Sequence, residues 1–267
     1  MKTILPIHLL IIFLILLAIS AILTWSGFDG VAWLKHFRNF AALFLSGYIL
    51  SLILKKSLHT DPSRLEHRII TLLILFLLFD SIFPWWIFFM LGALTEALQR
   101  LIRTRSGPIL NPAALAAFIF GAAGYHPSWW GISFPPSIPI IQGGISIAMF
   151  LTLPFAGYVA YRYQKLPIVF SFIASFILAY LIIFGKAPLS LLLEGVIAFF
   201  LLVMVIEPKT SPVTAKDQYV YGAIVGLGVP VGMYLGAVDA ILLSLLLANL
   251  YTARNFLLRH ERERYAR

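Results

Sequence analysis

Ile69–Leu98 reads IITLLILFLLFDSIFPWWIFFMLGALTEAL, and the fold turns on whether it forms one helix or two. One helix of about 30 residues would be roughly 45 Å long, against a bilayer hydrocarbon core of about 30 Å. Asp80-Ser81-Ile82-Phe83-Pro84 lies in its middle. Proline has no N–H for the helix ladder, and its ring clashes with the preceding turn. The stretch therefore predicts two short helices, Ile69–Phe83 and Pro84–Leu98, meeting at an acidic break.

The rest of the chain is of the same kind. Of 267 residues, 61% are hydrophobic and 12% charged, about half the charge of a soluble domain. Mean hydropathy is +0.94. Further apolar runs fall at 4–24, 39–54, 110–124, 141–161, 167–184, 188–206, 218–236 and 237–252. The run at 4–24 continues to Trp25 without a polar cleavage region, so it reads as a first transmembrane helix rather than a signal peptide.

Charge tests the resulting count of ten helices. With both termini inside, the inner segments are 1–3, 55–68, 99–109, 162–166, 208–217 and 253–267. They hold every basic residue except Lys35, Arg38 and Lys186, that is, 17 of the 20. A nine-helix chain puts a basic cluster on the wrong face, so the positive-inside rule selects ten, N-in and C-in. The net charge of +9 is thereby explained by topology, not by nucleic acid. The uncharged, Trp-rich loop Tyr125–Ile140 is expected outside, as an aromatic interfacial lid.

Ten helices divide into inverted halves of five, about 1–130 and 131–252, in a single transmembrane domain (1–252) followed by a basic cytoplasmic tail, 253–267. The Asp80–Pro84 break then corresponds to Glu207-Pro208-Lys209-Thr210-Ser211-Pro212, each an acidic residue followed by a proline-containing interruption. Inverted repeats with broken helices commonly build a site near mid-bilayer. The fold class is an all-α polytopic membrane protein.

Asp80, Glu96, Glu194, Glu207 and Asp239 are the carboxylates in or near the apolar runs. Glu96, Glu194 and Asp239 read as helix-end residues reaching water. Asp80 and Glu207 abut breaks whose backbone needs partners, so ion coupling and structural capping both stand for them. In Arg103-Thr104-Arg105-Ser106-Gly107-Pro108-Ile109-Leu110-Asn111-Pro112, Ser-Gly-Pro permits a tight turn and Asn-Pro suits a helix start. Free N–H groups there, with Arg103 and Arg105, make either an anion seat or a capped helix flanked by topological arginines. Thr210 and Ser211 form a similar polar loop on the same face. The chain has no cysteine, no clustered histidines and no nucleotide-binding loop. A metal site, an iron–sulfur cluster on its own thiolates and nucleotide hydrolysis are not expected.

Five stretches together resemble the NqrB/RnfD family, membrane subunits of the sodium-pumping NADH:quinone reductase and of the Rnf complex. They are Phe83-Pro84-Trp85-Trp86, Leu110-Asn111-Pro112-Ala113-Ala114-Leu115-Ala116, Met204 to Thr214, Tyr221-Gly222-Ala223-Ile224-Val225-Gly226, and Leu245-Leu246-Leu247-Ala248-Asn249-Leu250. The resemblance covers about residues 69–252 and implies ten helices in two inverted halves. Many members of that family carry flavin mononucleotide on a threonine after the Asn-Pro-Ala helix. Here Gly124–Pro136 contains no threonine, so covalent attachment is not implied.

The resemblance implies a subunit of a flavin-linked oxidoreductase or translocase complex in the cell's inner membrane. It would pass electrons across or within the bilayer beside a flavin reductase or other electron-transport subunits. A non-covalent flavin (FMN or riboflavin) or a quinone would meet Arg103, Arg105, Ser106, Asn111, Thr210 and Ser211, while Asp80 and Glu207 would organise the breaks or couple a cation. An inverted-repeat transporter or channel without redox chemistry is the alternative, and a scaffold docking a soluble reductase is a third.

Overall fold

The computed structural model describes residues 6–26, 29–58, 65–104, 107–133, 147–193 and 195–265. Within them lie eleven α-helices: α1 (Pro6–Ser26), α2 (Gly30–Leu58), α3 (Leu65–Leu78), α4 (Trp85–Leu101), α5 (Pro112–Ala122), α6 (Ile147–Arg162), α7 (Leu166–Phe184), α8 (Leu189–Leu193), α9 (Gly195–Phe199), α10 (Ala215–Tyr234) and α11 (Ala240–Tyr265). A π-helical segment, Phe200–Val205, continues α9. Two short strands, β1 (Arg103–Thr104) and β2 (Gly107–Pro108), pair as an antiparallel hairpin.

Each apolar run falls on helix, but lengths differ from expectation. α1, α7 and Gly30–Lys55 of α2 are long and apolar enough to cross a membrane. α2 begins nine residues before the expected Asn39, and α11 runs on through the expected tail to Tyr265. α3 and α4, with 14 and 17 residues, extend only about 21 and 25 Å at 1.5 Å per residue.

The break between them is the predicted one. α3 stops at Leu78 and α4 starts after Pro84. A helix ending in apolar surroundings must still satisfy its last carbonyls. Those of α3 receive Trp130 Nε1 on Phe76 O (2.7 Å), Gly131 N on Leu77 O (3.0 Å), and Ser128 N and Trp129 N on Leu78 O (2.9 and 3.0 Å). Trp129 takes a left-handed φ of 54° in this turn. The described part of the expected lid is thus folded inward: Trp129 and Trp130 are 7% and 3% exposed. Residues 134–140 of that loop lie outside the described residues.

α2 packs most extensively on α4, α7 on α10, and α10 on α11; α5 meets α4 and α11, and α1 meets α3 and α6. Small residues allow these close approaches. A Cβ on Gly92 of α4 would strike Leu43 O and Ser46 Oγ of α2. On α10, one on Gly222 would strike Ile168 O and Ser171 Oγ of α7, and one on Gly226 would strike Phe172 O and Ser175 Oγ. The serine hydroxyls turn back onto their own helices, as Ser46 does on Leu43 O at 3.0 Å and Ser171 on Ile168 O at 3.1 Å, so polar atoms line the contacts without becoming unsatisfied.

Glu96 is not the water-reaching residue expected. It is 2% exposed, with Arg100 Nε 2.8 Å from Oε1 and Arg68 Nε 3.1 Å from Oε2. Arg100 Nη2 also donates to Ser51 Oγ at 2.8 Å. The cluster ties α2, α3 and α4 together through one carboxylate between two guanidiniums. Asp239 does cap a helix, accepting from Leu242 N at 2.9 Å. Glu194 lies outside the described residues.

Candidate functional site

The hairpin after α4 and the loop after the π-helical segment converge on the start of α5. Asn111 joins them. As N-cap of α5 its Oδ1 accepts from Ala114 N at 2.9 Å, and Pro112 follows in the first turn, where its missing N–H costs nothing. With Oδ1 committed, the amide nitrogen must point the other way, and it donates to Glu207 Oε2 at 2.8 Å. The backbone N–H of Asn111 donates to Asn249 Oδ1, also at 2.8 Å. That in turn commits Asn249 Nδ2 to the Tyr221 hydroxyl, again at 2.8 Å.

Asn111 is 2% exposed, and Asn249 and Tyr221 are fully buried. A buried polar group without a partner costs about 1–3 kcal/mol, so a chain satisfied by one orientation of each amide is strongly specified.

Glu207 receives a second bond on the same oxygen, from Thr210 Oγ1 at 3.3 Å. Ser211 Oγ donates to Glu207 O at 2.7 Å. The loop is held from outside by two more side chains. Lys165 Nζ donates to Pro212 O at 2.7 Å, and Gln218 Nε2 donates to Pro212 O and Val213 O at 3.2 and 3.1 Å. Burial pulls the Lys165 ammonium down to about 8.

Against these loops lies a groove of about 350 Å³. Thr104, Pro108 and Ile109 of the hairpin form one wall, Pro208–Val213 the other, and Thr252, Ala253 and Asn255 of α11 the end. Lys209 supplies a cation and Asp217 an opposing carboxylate. Thr104, Thr210 and Thr252 line it together with apolar Ile109, Val213 and Ala253. Such a surface suits a flat ring with a polar edge and at most one anionic group.

The sequence-predicted site residues divide as follows. Asn111, Glu207, Thr210 and Ser211 are together, but the Thr210 and Ser211 hydroxyl protons are used within the loop, so these two offer a ligand only lone pairs. Arg103 is exposed, its Nε 3.5 Å from Thr104 O. Arg105 and Ser106 lie outside the described residues. Asp80 is elsewhere, at the other break, where it accepts from Ile82 N at 3.3 Å and Ser81 Oγ at 3.2 Å. Asn249, Tyr221, Lys165 and Gln218 were not anticipated. For Asn249 a signal existed: an amide inside the apolar stretch Leu245–Leu250 needs a partner in a membrane helix.

The fold and the network define an α-helical membrane protein with a polar junction buried between two loops. Comparison with family models makes this specific. The model of the NQR2, RnfD, RnfE family matches residues 109–254, more than half of the chain, and the chain belongs to that family. Its members are membrane subunits of multi-subunit Rnf/Nqr electron-transport complexes, and the family is known to bind flavin. The matched segment takes in both Asn111 and the Glu207 loop and leaves α1–α4 outside. No curated protein matches the chain.

Proposed function

We propose that this chain passes electrons within or across the inner membrane as one subunit of an Rnf/Nqr-like complex. The groove between the two loops would seat a non-covalent flavin or a quinone, and a flavin reductase or sister subunit would approach from the same side. The observation that carries this reading is the convergence of hairpin and loop on one groove, whose loop and α11 walls lie inside the segment that matches the family. Lys209 would meet the anionic edge of the group, Thr104, Thr210 and Thr252 its polar rim, and Ile109 and Val213 its ring. A bound flavin supplies one- and two-electron chemistry; the chain supplies position and polarity.

The ten-helix, two-half topology with both termini cytoplasmic belongs to the same proposal, as do the single domain 1–252 and the tail 253–267. Support comes from matched packing. Leu43 and Ser46 stand to Gly92 as Ile168 and Ser171 stand to Gly222. Asn111 and Asp239 each cap the third residue on, at the starts of α5 and α11. Asp80 and Glu207 each follow the last turn of a broken helix.

Absorbance and fluorescence of the purified protein, then titration with FMN, riboflavin and a short-chain quinone, test the proposal. Binding that Ile109→Trp and Lys209→Glu weaken about tenfold supports it. No binding, with a solute flux in proteoliposomes that needs no reductant, would replace it with the transporter reading.

A further inference from the structure

Glu207 lines a second space, which shares only Pro208 with the groove. A cavity of about 30 Å³ lies where α1, α3, α6 and the π-helical segment meet. Its floor is apolar and buried, with Ile74, Val159 and Val203 among the lining residues. Its polar lining groups are His67, Tyr163 and Glu207, all half-buried. The cavity therefore has a dry floor and a polar, partly open mouth.

One water needs about 10–15 Å³ on this measure, and two to four polar partners to stay. The cavity has room for about two waters, and its three polar groups supply the partners. The carboxylate keeps one oxygen for this. Both of its side-chain hydrogen bonds, from Asn111 and Thr210, fall on Oε2, and Oε1 takes none among the described residues.

We propose that this cavity is a hydration site through which Glu207 exchanges its proton with solvent, past His67 and Tyr163 and separately from the groove. A proton arriving by water is accepted at Oε1 while Asn111 and Thr210 hold Oε2, and the same path returns it. The charged and titratable groups facing the carboxylate are few. α3 contributes His67, the turn after α6 Tyr163, the loop Lys209 and α10 the buried Tyr221 hydroxyl, while α1 and the π-helical segment contribute apolar side chains only. Burial raises the Tyr163 phenol above its usual range, which keeps the hydroxyl protonated as a donor and acceptor in the path. None of this requires a cofactor in the groove, so the test is independent of the redox reading.

The test is infrared spectroscopy of the reconstituted protein during a pH titration and on transfer to D2O. The protonated-carboxyl band that Glu207→Gln removes is the reporter. Val159→Phe, which fills the cavity, should slow hydrogen–deuterium exchange of that band by on the order of tenfold without shifting its frequency, since Asn111 and Thr210 are untouched. Tyr163→Phe, which removes one hydroxyl and leaves the packing alone, should slow it in the same sense and serves if the larger side chain prevents folding. Exchange at the wild-type rate in the folded variants overturns the proposal. So does slowing by Ile109→Trp in the groove in their place, or the absence of any band lost in Glu207→Gln.

Discussion

At the end of α3 the chain breaks at Asp80, and at the end of the π-helical segment it breaks at Glu207, yet the two breaks are closed by different chemistry. The first is closed from a distance. Backbone N–H groups and an indole of the Ser128–Gly131 turn bond the last carbonyls of α3, and His36, 4% exposed, stacks on Trp130 at 4.7 Å. The Asp80 carboxylate serves its own turn. The second break is closed from within, by Thr210 and Ser211 of its own loop. That leaves the Glu207 carboxylate to take Asn111 and Thr210 on one oxygen and to line the cavity beside it. A break whose backbone is satisfied locally keeps its acidic side chain for other work.

The surrounding helices differ in the same sense. α2, α3 and α4 are joined by the buried Arg68–Glu96–Arg100 cluster, while α7 and α10 meet through Gly222 and Gly226 against serines. Glu96→Gln should therefore have the largest effect, because it leaves two buried guanidiniums without their shared counter-charge. Breaking such a pair costs about 3–5 kcal/mol. The thermal midpoint in detergent or nanodiscs should fall by many degrees. A midpoint near wild type would mean the cluster is hydrated, and the contrast between the two regions would lapse.

Asn111→Leu comes next, with an expected loss of about 2–3 kcal/mol. It removes the cap on Ala114 N, a donor to Glu207 and none of the bulk. Because Asn249 bonds the backbone N–H of Asn111, the Asn249–Tyr221 pair should survive. Asn249→Leu should cost comparably by stranding that N–H, and the double variant should cost less than the sum, since both break one chain. Strict additivity, read from thermal midpoints of the four proteins, would show that the network is not continuous. Trp130→Phe is milder. It keeps the ring against Phe76 and His36 and strands only Phe76 O, for about 1 kcal/mol.

Much of this architecture could be read from residues close in sequence. Pro84 announced the first break, Asn111-Pro112 the start of α5, and the acidic–proline run after Ile206 the second break. What escaped was set by partners far along the chain. Glu96 reads as a helix-end carboxylate until Arg68, on another helix, lies against it. Trp129 and Trp130 read as interfacial until α3 needs donors for its carbonyls. Asn249 meets Asn111 across 138 positions. The π-helical register over Phe200–Val205 is confined to six residues, too few for a change of period to appear in an apolar run. The grouping of Asn111, Glu207, Thr210 and Ser211 followed from placing both loops on one face; the cavity behind Glu207 needed the packing of four helices.

The smallest effect at neutral pH, and the finest test of the comparison, concerns the residue that clamps each loop. Past the first break, Asn39 Nδ2 donates to Phe83 O at 3.3 Å; past the second, Lys165 Nζ donates to Pro212 O at 2.7 Å. One clamp is a neutral amide and the other an ammonium 4% exposed. Folding lowers the Lys165 value from 10.5 to about 8, so the folded state disfavours the charged form. Below pH 8 that cost is present in full, and stability rises as pH climbs from about 8 towards 10.5. Lys165→Met loses one hydrogen bond but also removes the buried charge, so at neutral pH the net change should stay within about 1 kcal/mol. The pH slope should separate the two proteins. Wild type gains stability between pH 8 and 10 relative to Lys165→Met, whereas Asn39→Leu shifts the midpoint by the same amount at every pH. Parallel pH profiles for wild type and Lys165→Met would mean that the Lys165 ammonium is solvated, and that the second loop is held no differently from the first.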